Sequence, residues 1–441
     1  MADRNDLGGM RRSLQDLRQL IHRQVVTTMD IARTAYLTED QFRAEIRVAL
    51  LQACAQRGID LPRDDQDIMV HQIMSDLFGF GPLEQLMHDP EVTDILVNGW
   101  RNVYVERDGV LHSTDVHFAN DETLLNYIQR LVTRMGRRID ESSPMVDIHL
   151  PDGSRLNAVI APLALRGPTL SIRRFRSDAL LLEQMVQFGS LTMEMAEFLA
   201  RAVEARANIM ISGATGSGKT TLLNSLSRFI SRAERVVTIE HTAELQLQQP
   251  DVVALEARPP NIEGRGEIHV RDLLRNTLRM RPDRIIVGEC RGGEVFDVLQ
   301  AMITGHDGSM STIHASDTRE AMHRMELMIA LSGVELPRMA ARHYISSAVH
   351  LIVHLKRLNT GERKVMRITE LNGFQDGDFV LEDIFGFKQA GVDGYGRAKG
   401  NFFATGYRPR LLERMDEIGV DCRRDIFEPR ELAIMSNGNV D

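Results

Sequence analysis

The stretch ANIMISGATGSGKTTLLNSL, residues 207–226, decides the fold. Ala207 to Ser212 is a short apolar run bounded by a glycine, which reads as a buried strand. From Thr221 the pattern Leu222, Leu223, Leu226 has helical spacing. Between them Gly213-Ala214-Thr215-Gly216-Ser217-Gly218-Lys219-Thr220 matches GxxxxGK[ST] at every position. Strand, glycine-rich turn and helix, in that order, turn backbone N–H groups and the positive end of a helix toward one point. That arrangement suits a phosphate. Lys219 would reach the terminal phosphates and the Thr220 hydroxyl would hold Mg²⁺, with Thr221 completing the first helical turn. The bland alternative is a tight turn with no ligand, but it leaves the full motif in its strand-to-helix setting unexplained.

Working outward, helix and apolar strand alternate from about residue 191, the pattern of a parallel sheet covered on both faces. The expected strands are 207–212, 235–240, 284–288, 309–314 and 348–355, followed by a β-meander over 364–385. Two end in carboxylates. Arg284-Ile285-Ile286-Val287-Gly288-Glu289 puts Glu289 at the end of a parallel strand, beside the phosphate loop. There it would act on the attacking water or the Mg²⁺ shell, or else cap the helix that starts near Glu294. Arg235-Val236-Val237-Thr238-Ile239-Glu240 ends the same way, so Glu240 is a candidate for metal or water contact, with Glu244 close behind. His306 and His314 flank a further strand. Their separation is not a local metal-ligand spacing, and a histidine at a strand end is commonly structural. Next to phosphates, however, either could sense the terminal phosphoryl group.

N-terminal to this core the reading is less regular. Residues 1–60 read as a helical extension, with Phe42, Ile46, Leu50 and Leu51 on one face. Residues 61–175 read as a mixed α/β domain containing a hairpin around Asn98-Gly99, a helix capped by Asn120, and strands at 146–149, 155–160 and 169–174. Residues 176–190 read as a linker, 191–400 as the nucleotide-binding domain, and 401–441 as a polar C-terminal extension with a frayed end.

The chain of 441 residues is too long for one ordinary domain. With 43% hydrophobic and 26% charged residues it is not a disordered chain. No apolar run approaches the roughly 18 residues of a membrane span, and the N-terminus has no apolar signal core. The three cysteines are widely spaced, which excludes a disulfide scaffold and fits a reducing cytosol. A net charge of −9 argues against a nucleic-acid-coating protein. Only 5 of the 53 basic residues are lysine, and the single lysine among the first 355 residues is Lys219. Codon bias accounts for the scarcity. The exception falls where a compact ammonium on a flexible stem fits and a planar guanidinium does not.

GATGSGKTT at 213–221, TIEHTAELQL at 238–247, RPDRIIVGECRGGE at 281–294 and QAMITGHDGSMSTIHA at 300–315 resemble the secretion ATPases of the type II/type IV superfamily. Within it the resemblance is nearest to the CpaF-type ATPases of tight-adherence pilus assembly. It extends upstream through DPEVTDILVNG at 89–99 and LPDGSRLNAVIAPLALRGPTLSIRRF at 150–175. The resemblance implies an α/β protein with a RecA-like P-loop core and a smaller N-terminal α/β domain. It also implies ATP and Mg²⁺ as cofactors and a homo-hexameric ring in the cytoplasm, peripherally associated with the inner membrane. An integral platform protein would be the direct partner, with a pilin or secreted substrate engaged indirectly and no nucleic acid. It makes Glu289 the acid of an atypical Walker B strand, Glu240 the acid of the Asp box, and His306 and His314 members of the His box. Arg155, Arg173 and Arg174 match the arginines by which the N-terminal domain completes the site, a role that suits a fixed guanidinium beside a transferred phosphoryl group. Conjugation or effector secretion is the alternative within the superfamily, and a RecA-like nucleic-acid motor the alternative outside it. One departure stands out. The Asp box usually reads Glu-Asp, and here His241 follows Glu240.

Overall fold

The computed structural model describes residues 39–58, 61–107, 109–174, 180–260, 265–392, 394 and 398–434. The expected frayed end, the helical reading of residues 1–38 and part of the linker therefore lie outside the described residues. The chain divides into two compact units, Met1–Phe175 and Arg176–Asp441.

The first unit begins with helices Glu39–Arg57 and Arg63–Phe78. Ile46 and Leu50 are buried as their spacing predicts, whereas Leu51 is exposed. The strands of this unit are β1 (Val92–Asn98), β2 (Asn102–Arg107), β3 (Val110–Ser113), β4 (Met145–His149), β5 (Arg155–Val159) and β6 (Thr169–Arg173). They form an antiparallel sheet in the order β3-β2-β1-β6-β5-β4. The hairpin around Gly99 is present, with Asn98 opposite Asn102. Helix Asp121–Arg134 covers the sheet. Asn120 caps it by accepting from the Thr123 N–H, and Leu124, Ile128 and Leu131 pack into the core with Val97, Val105 and Leu156.

The second unit is built on one sheet. Its strands are β7 (Ile209–Gly213), β8 (Val236–Glu240), β9 (Val252–Glu256), β10 (Arg284–Cys290), β11 (Met310–Ile313), β12 (Leu351–Arg357), β13 (Arg363–Gln375), β14 (Asp378–Val392), β15 (Ala398–Ala404) and β16 (Arg430–Leu432). The order is β16-β15-β14-β13-β12-β7-β11-β10-β8-β9. From β12 to β9 all pairings are parallel, and from β12 to β16 they are antiparallel. The parallel half is the RecA-like core that the resemblance implies. Strand β11 is inserted between the phosphate-loop strand β7 and the acid-bearing strand β10. All five residues of β7 and of β8 are buried, as expected of strands covered on both faces.

Two differences from the sequence reading concern the sheet's ends. The edge strand β9 was not anticipated, because its Val-Val-Ala-Leu-Glu run is short and lies in a proline-bounded polar stretch. The residues after 400 are not a loose polar extension within the described range. Strands β15 and β16 continue the sheet, and Leu411, Leu412, Met415, Phe427 and Leu432 belong to the same core as Leu199 and Ile209. No helix among the described residues is long and apolar enough to cross a membrane.

Candidate active site

Parallel strands bring the carboxyl ends of β7, β11, β10 and β8 to one edge, where α/β sheets bind ligands. At β7 the chain turns through Gly213 into the loop, and helix Lys219–Ser227 leaves from it. A Cβ on Gly213 would overlap the Leu355 carbonyl oxygen and stand 2.5 Å from Ser217 Oγ, so only glycine lets the loop leave the sheet this way. Gly216 (φ 71°) and Gly218 (φ 97°) hold left-handed conformations, and Gly218 is the residue that precedes the helix. Ser217 Oγ is buried without a hydrogen-bond partner among the described residues. Ala214 and Thr215 are exposed at the mouth, while Thr220 and Thr221 are half-buried in the first turn.

Lys219 is buried. Its Nζ donates to the carbonyls of Gly213 (3.0 Å) and Ala214 (3.1 Å) and lies 3.9 Å from Glu289 Oε1. Desolvation draws its pKa below the ordinary lysine value, and the Glu289 charge opposes that shift. An anion entering the loop would restore what burial takes away. The loop geometry, the orphan serine hydroxyl and the buried ammonium together fit a phosphate chain.

Glu289 is placed by a bulge. Val287 pairs with Ser311 and Cys290 with Ile313, so β10 uses one extra residue against β11. Thr312 Oγ1 donates to the Gly288 carbonyl at 2.8 Å and pins the irregularity. The carboxylate lies between Lys219 and Arg291, whose Nε donates to Oε2 at 2.6 Å. The helix-capping alternative is filled by another residue. Glu294 Oε1 accepts from the N–H groups of Arg291 (2.6 Å) and Gly292 (2.8 Å), at the start of helix Glu294–Ile303. Cys290 is a buried packing residue with Sγ 3.2 Å from Ser311 Oγ.

Glu240 differs from expectation. Its side chain is buried and turned into its own loop, where Oε1 accepts from the N–H groups of Glu244 (2.9 Å) and Leu245 (3.1 Å). Burial pushes its pKa up to about 7 despite those bonds. A Cβ on Gly288 would stand 2.9 Å from Glu240 Cγ, so the carboxylate packs directly behind Glu289. This geometry makes Glu240 an organiser of the 241–245 loop, where sequence suggested direct contact with metal or water.

The two histidines separate. His314 follows Ile313, which pairs with Ser212 on one side and Cys290 on the other. It is exposed between the phosphate loop and Glu289. His306 lies at the other end of β11, about 10 Å of strand away. Its Nδ1 is 3.3 Å from the Ala301 carbonyl, and the turn after it is held by Asn208 Oδ1, which accepts from Gly308 N at 2.8 Å. The structure thus corrects the expectation that both histidines face the phosphates. Gly308 also packs on Arg284, a buried guanidinium paired with Glu234 at 2.7 Å, so this end of the sheet is structural.

In the first unit, Arg155 and Arg173 are cross-strand partners and share one face of the sheet. Arg155 Nε donates to Asp147 Oδ1 at 2.8 Å. The Arg174 guanidinium is engaged by the carbonyls of Asp89 and Val92 within its own unit. In the second unit Arg271 is likewise held, by Asp297 at 2.7 Å and the Ser332 carbonyl at 2.9 Å. Sequence reasoning missed Arg291 and Arg363. Arg291 lies next but one to a recognised acid and could have been found. Arg363 is remote in sequence from the loop it touches.

Residues 76–400 match the family model described as type II/IV secretion system protein. A putative conjugal transfer protein of Mycobacterium tuberculosis is 38% identical over 305 residues, covering 68% of this chain and 86% of its own. The conjugal transfer protein TrbB of Rhizobium radiobacter is 31% identical over 301 residues, covering 67% and 88%. Among solved structures, the VirB11 ATPase of the Brucella suis type IV secretion system, in complex with sulphate, is similar at 28% identity. That similarity covers 67% of this chain and 97% of that one, with a TM-score of 0.36. The match to the family model over more than half the chain, joined to a complete phosphate loop on a RecA-like sheet, makes this protein a member of the type II/IV secretion ATPase family.

Proposed function

We propose that the chain is an Mg²⁺-dependent ATPase that hydrolyses ATP to ADP and phosphate and powers tight-adherence or type IV-like pilus assembly or secretion. The observation that carries the reading is the position of Glu289. Its carboxylate stands 3.9 Å from the buried Lys219 ammonium, at the mouth of a loop shaped for phosphates. In this reading residues 213–221 cradle the phosphates, and Lys219 exchanges its two carbonyl acceptors for phosphate oxygens. Thr220 and Glu289 would hold Mg²⁺, which supplies charge neutralisation at the terminal phosphates. Glu289 orients water for attack and accepts its proton. Glu240 fixes the floor behind Glu289, and His314 donates toward the terminal phosphoryl oxygens.

The ring, the platform partner and the association with the inner membrane come from the resemblance. In a ring, Arg155 and Arg173 are the arginines that would meet a nucleotide, Arg155 by exchanging its Asp147 partner, while Arg174 is held by its own backbone. Export through a conjugation-type system is the second reading, favoured by the names of the relatives at 38% and 31% identity. Phosphate release by the full chain tests the activity. Lys219→Ala is expected to abolish turnover with the melting transition retained. Glu289→Gln is expected to keep ADP binding while lowering turnover by about a thousand-fold or more, and wild-type turnover in either variant would sink the assignment.

A further inference from the structure

We infer that Arg363 is a positioning residue of the phosphate loop, acting from the β12–β13 hairpin in the same chain; this rests on the ATPase reading above. The Arg363 Nε–H donates to the Gly216 carbonyl at 3.0 Å. A phosphate-binding turn works only while its N–H groups face inward, which requires its carbonyls to face out. Gly216 sits at φ 71° and has no Cβ, so its own conformational preference does little to hold either peptide orientation. An external donor on that carbonyl supplies the missing preference.

The position of Arg363 is set by the sheet. Leu355 on β12 pairs with Gly213 on β7, so the end of β12 runs alongside the loop. Arg357 and Arg363 then stand directly opposite each other where β12 and β13 meet the hairpin turn. Cross-strand partners share a face, and here both reach the loop. Arg357 Nη1 is 3.8 Å from where a Cβ on Gly216 would stand, and Arg363 Cδ is 3.5 Å from the equivalent point on Gly218. Like charges opposite one another weaken a sheet, and this pair adds positive potential at the phosphate loop. The adjacent pair, Lys356 and Lys364, shares the opposite face. There Lys364 Nζ is buried and donates to the Gly189 carbonyl at 2.8 Å. The hairpin thus assigns its lysine pair away from the loop and its arginine pair to it.

The test uses the full chain with Mg²⁺ and two readouts, ADP affinity by calorimetry and steady-state ATP turnover. Arg363→Ala is expected to weaken ADP and raise KM for ATP about ten-fold, with kcat at saturating ATP within about two-fold of wild type. Damage to the fold would instead lower the active fraction, and so kcat, with KM unmoved; that pattern overturns the proposal. Arg363→Lys, which restores charge and a donor without the guanidinium geometry, should recover part of the affinity, and it carries the test if the alanine variant does not fold. Unchanged ADP affinity in Arg363→Ala and Arg363→Lys, with binding lost in Lys219→Ala, overturns the proposal and leaves the site assignment standing. Failure of the wild-type chain to bind ADP overturns the site assignment and this proposal together.

Discussion

His306 and His314 are the same residue type on either side of one short strand, and their surroundings give them different work. His314 is exposed between the phosphate loop and the Glu289 bulge. His306 meets the Ala301 carbonyl at the far end of the sheet. Substituting each by alanine should separate the roles. His314→Ala is expected to lower kcat about a hundred-fold with little change in melting temperature, as loss of one donor to a developing oxyanion does. His306→Ala is expected to cost about 1 kcal/mol of stability and leave the KM for ATP unchanged. Turnover and thermal melting measured on both variants check the pair. Equal effects on kcat would return His306 to the phosphates. A similar division holds for the acids, since the Glu240 carboxylate is committed to backbone N–H groups while Glu289 lies between two cations.

At the scale of elements, strand identity and strand order differ in how well sequence announced them. Strands β7, β8 and β10 are short, largely apolar runs, so their identity and the carboxylates at the ends of β8 and β10 were legible. Strand order was not. That β11 inserts between β7 and β10, and β12 flanks β7 on the other side, is a result of packing that periodicity along the chain does not encode. The bulge in β10 was also invisible, because it depends on Thr312 reaching across from β11. The β7–β12 pairing buries His354 beneath the loop, with Nδ1 3.0 Å from Ser212 Oγ. Burial lowers its pKa from 6.5 to about 4, and that of His350 likewise. A depressed histidine favours folding while neutral. Its contribution is therefore fully present above pH 6.5 and lost as pH falls toward 4. Each group carries up to roughly 3 kcal/mol over that window. Melting temperature measured without nucleotide should fall between pH 6.5 and 4, and His354→Gln should make the fall shallower. An unchanged slope in that variant would show that His354 is not a source of the pH dependence.

At the scale of the second unit, the antiparallel half of the sheet is part of the same cooperative structure as the nucleotide core. Composition hid this, because the buried side chains after residue 404 are scattered among charges and glycines and have neither strand nor helix period. The contacts are nonetheless central. Phe427 stacks on Phe385 with centroids 5.8 Å apart and meets Phe198 edge-on at 5.5 Å. Phe198 lies on helix Met193–Glu204, which precedes the phosphate-loop strand. Glu370 on β13 anchors the returning chain by accepting from Arg410 N (2.9 Å), Leu411 N (2.8 Å) and the Tyr407 hydroxyl (2.7 Å). Deleting everything after Ala404 removes Leu411, Leu412, Met415, Phe427 and Leu432 from the core. At about 2 kcal/mol for each large apolar side chain, that is on the order of 10 kcal/mol, comparable to the whole stability of a domain. The truncated chain is therefore expected to lose cooperative thermal unfolding and ADP binding together, although every phosphate-loop residue is retained. Calorimetry of the truncated chain beside Lys219→Ala distinguishes the cases, since the point variant should lose nucleotide and keep its transition. A truncated chain that melts cooperatively and binds ADP would show that the parallel core stands without its antiparallel half.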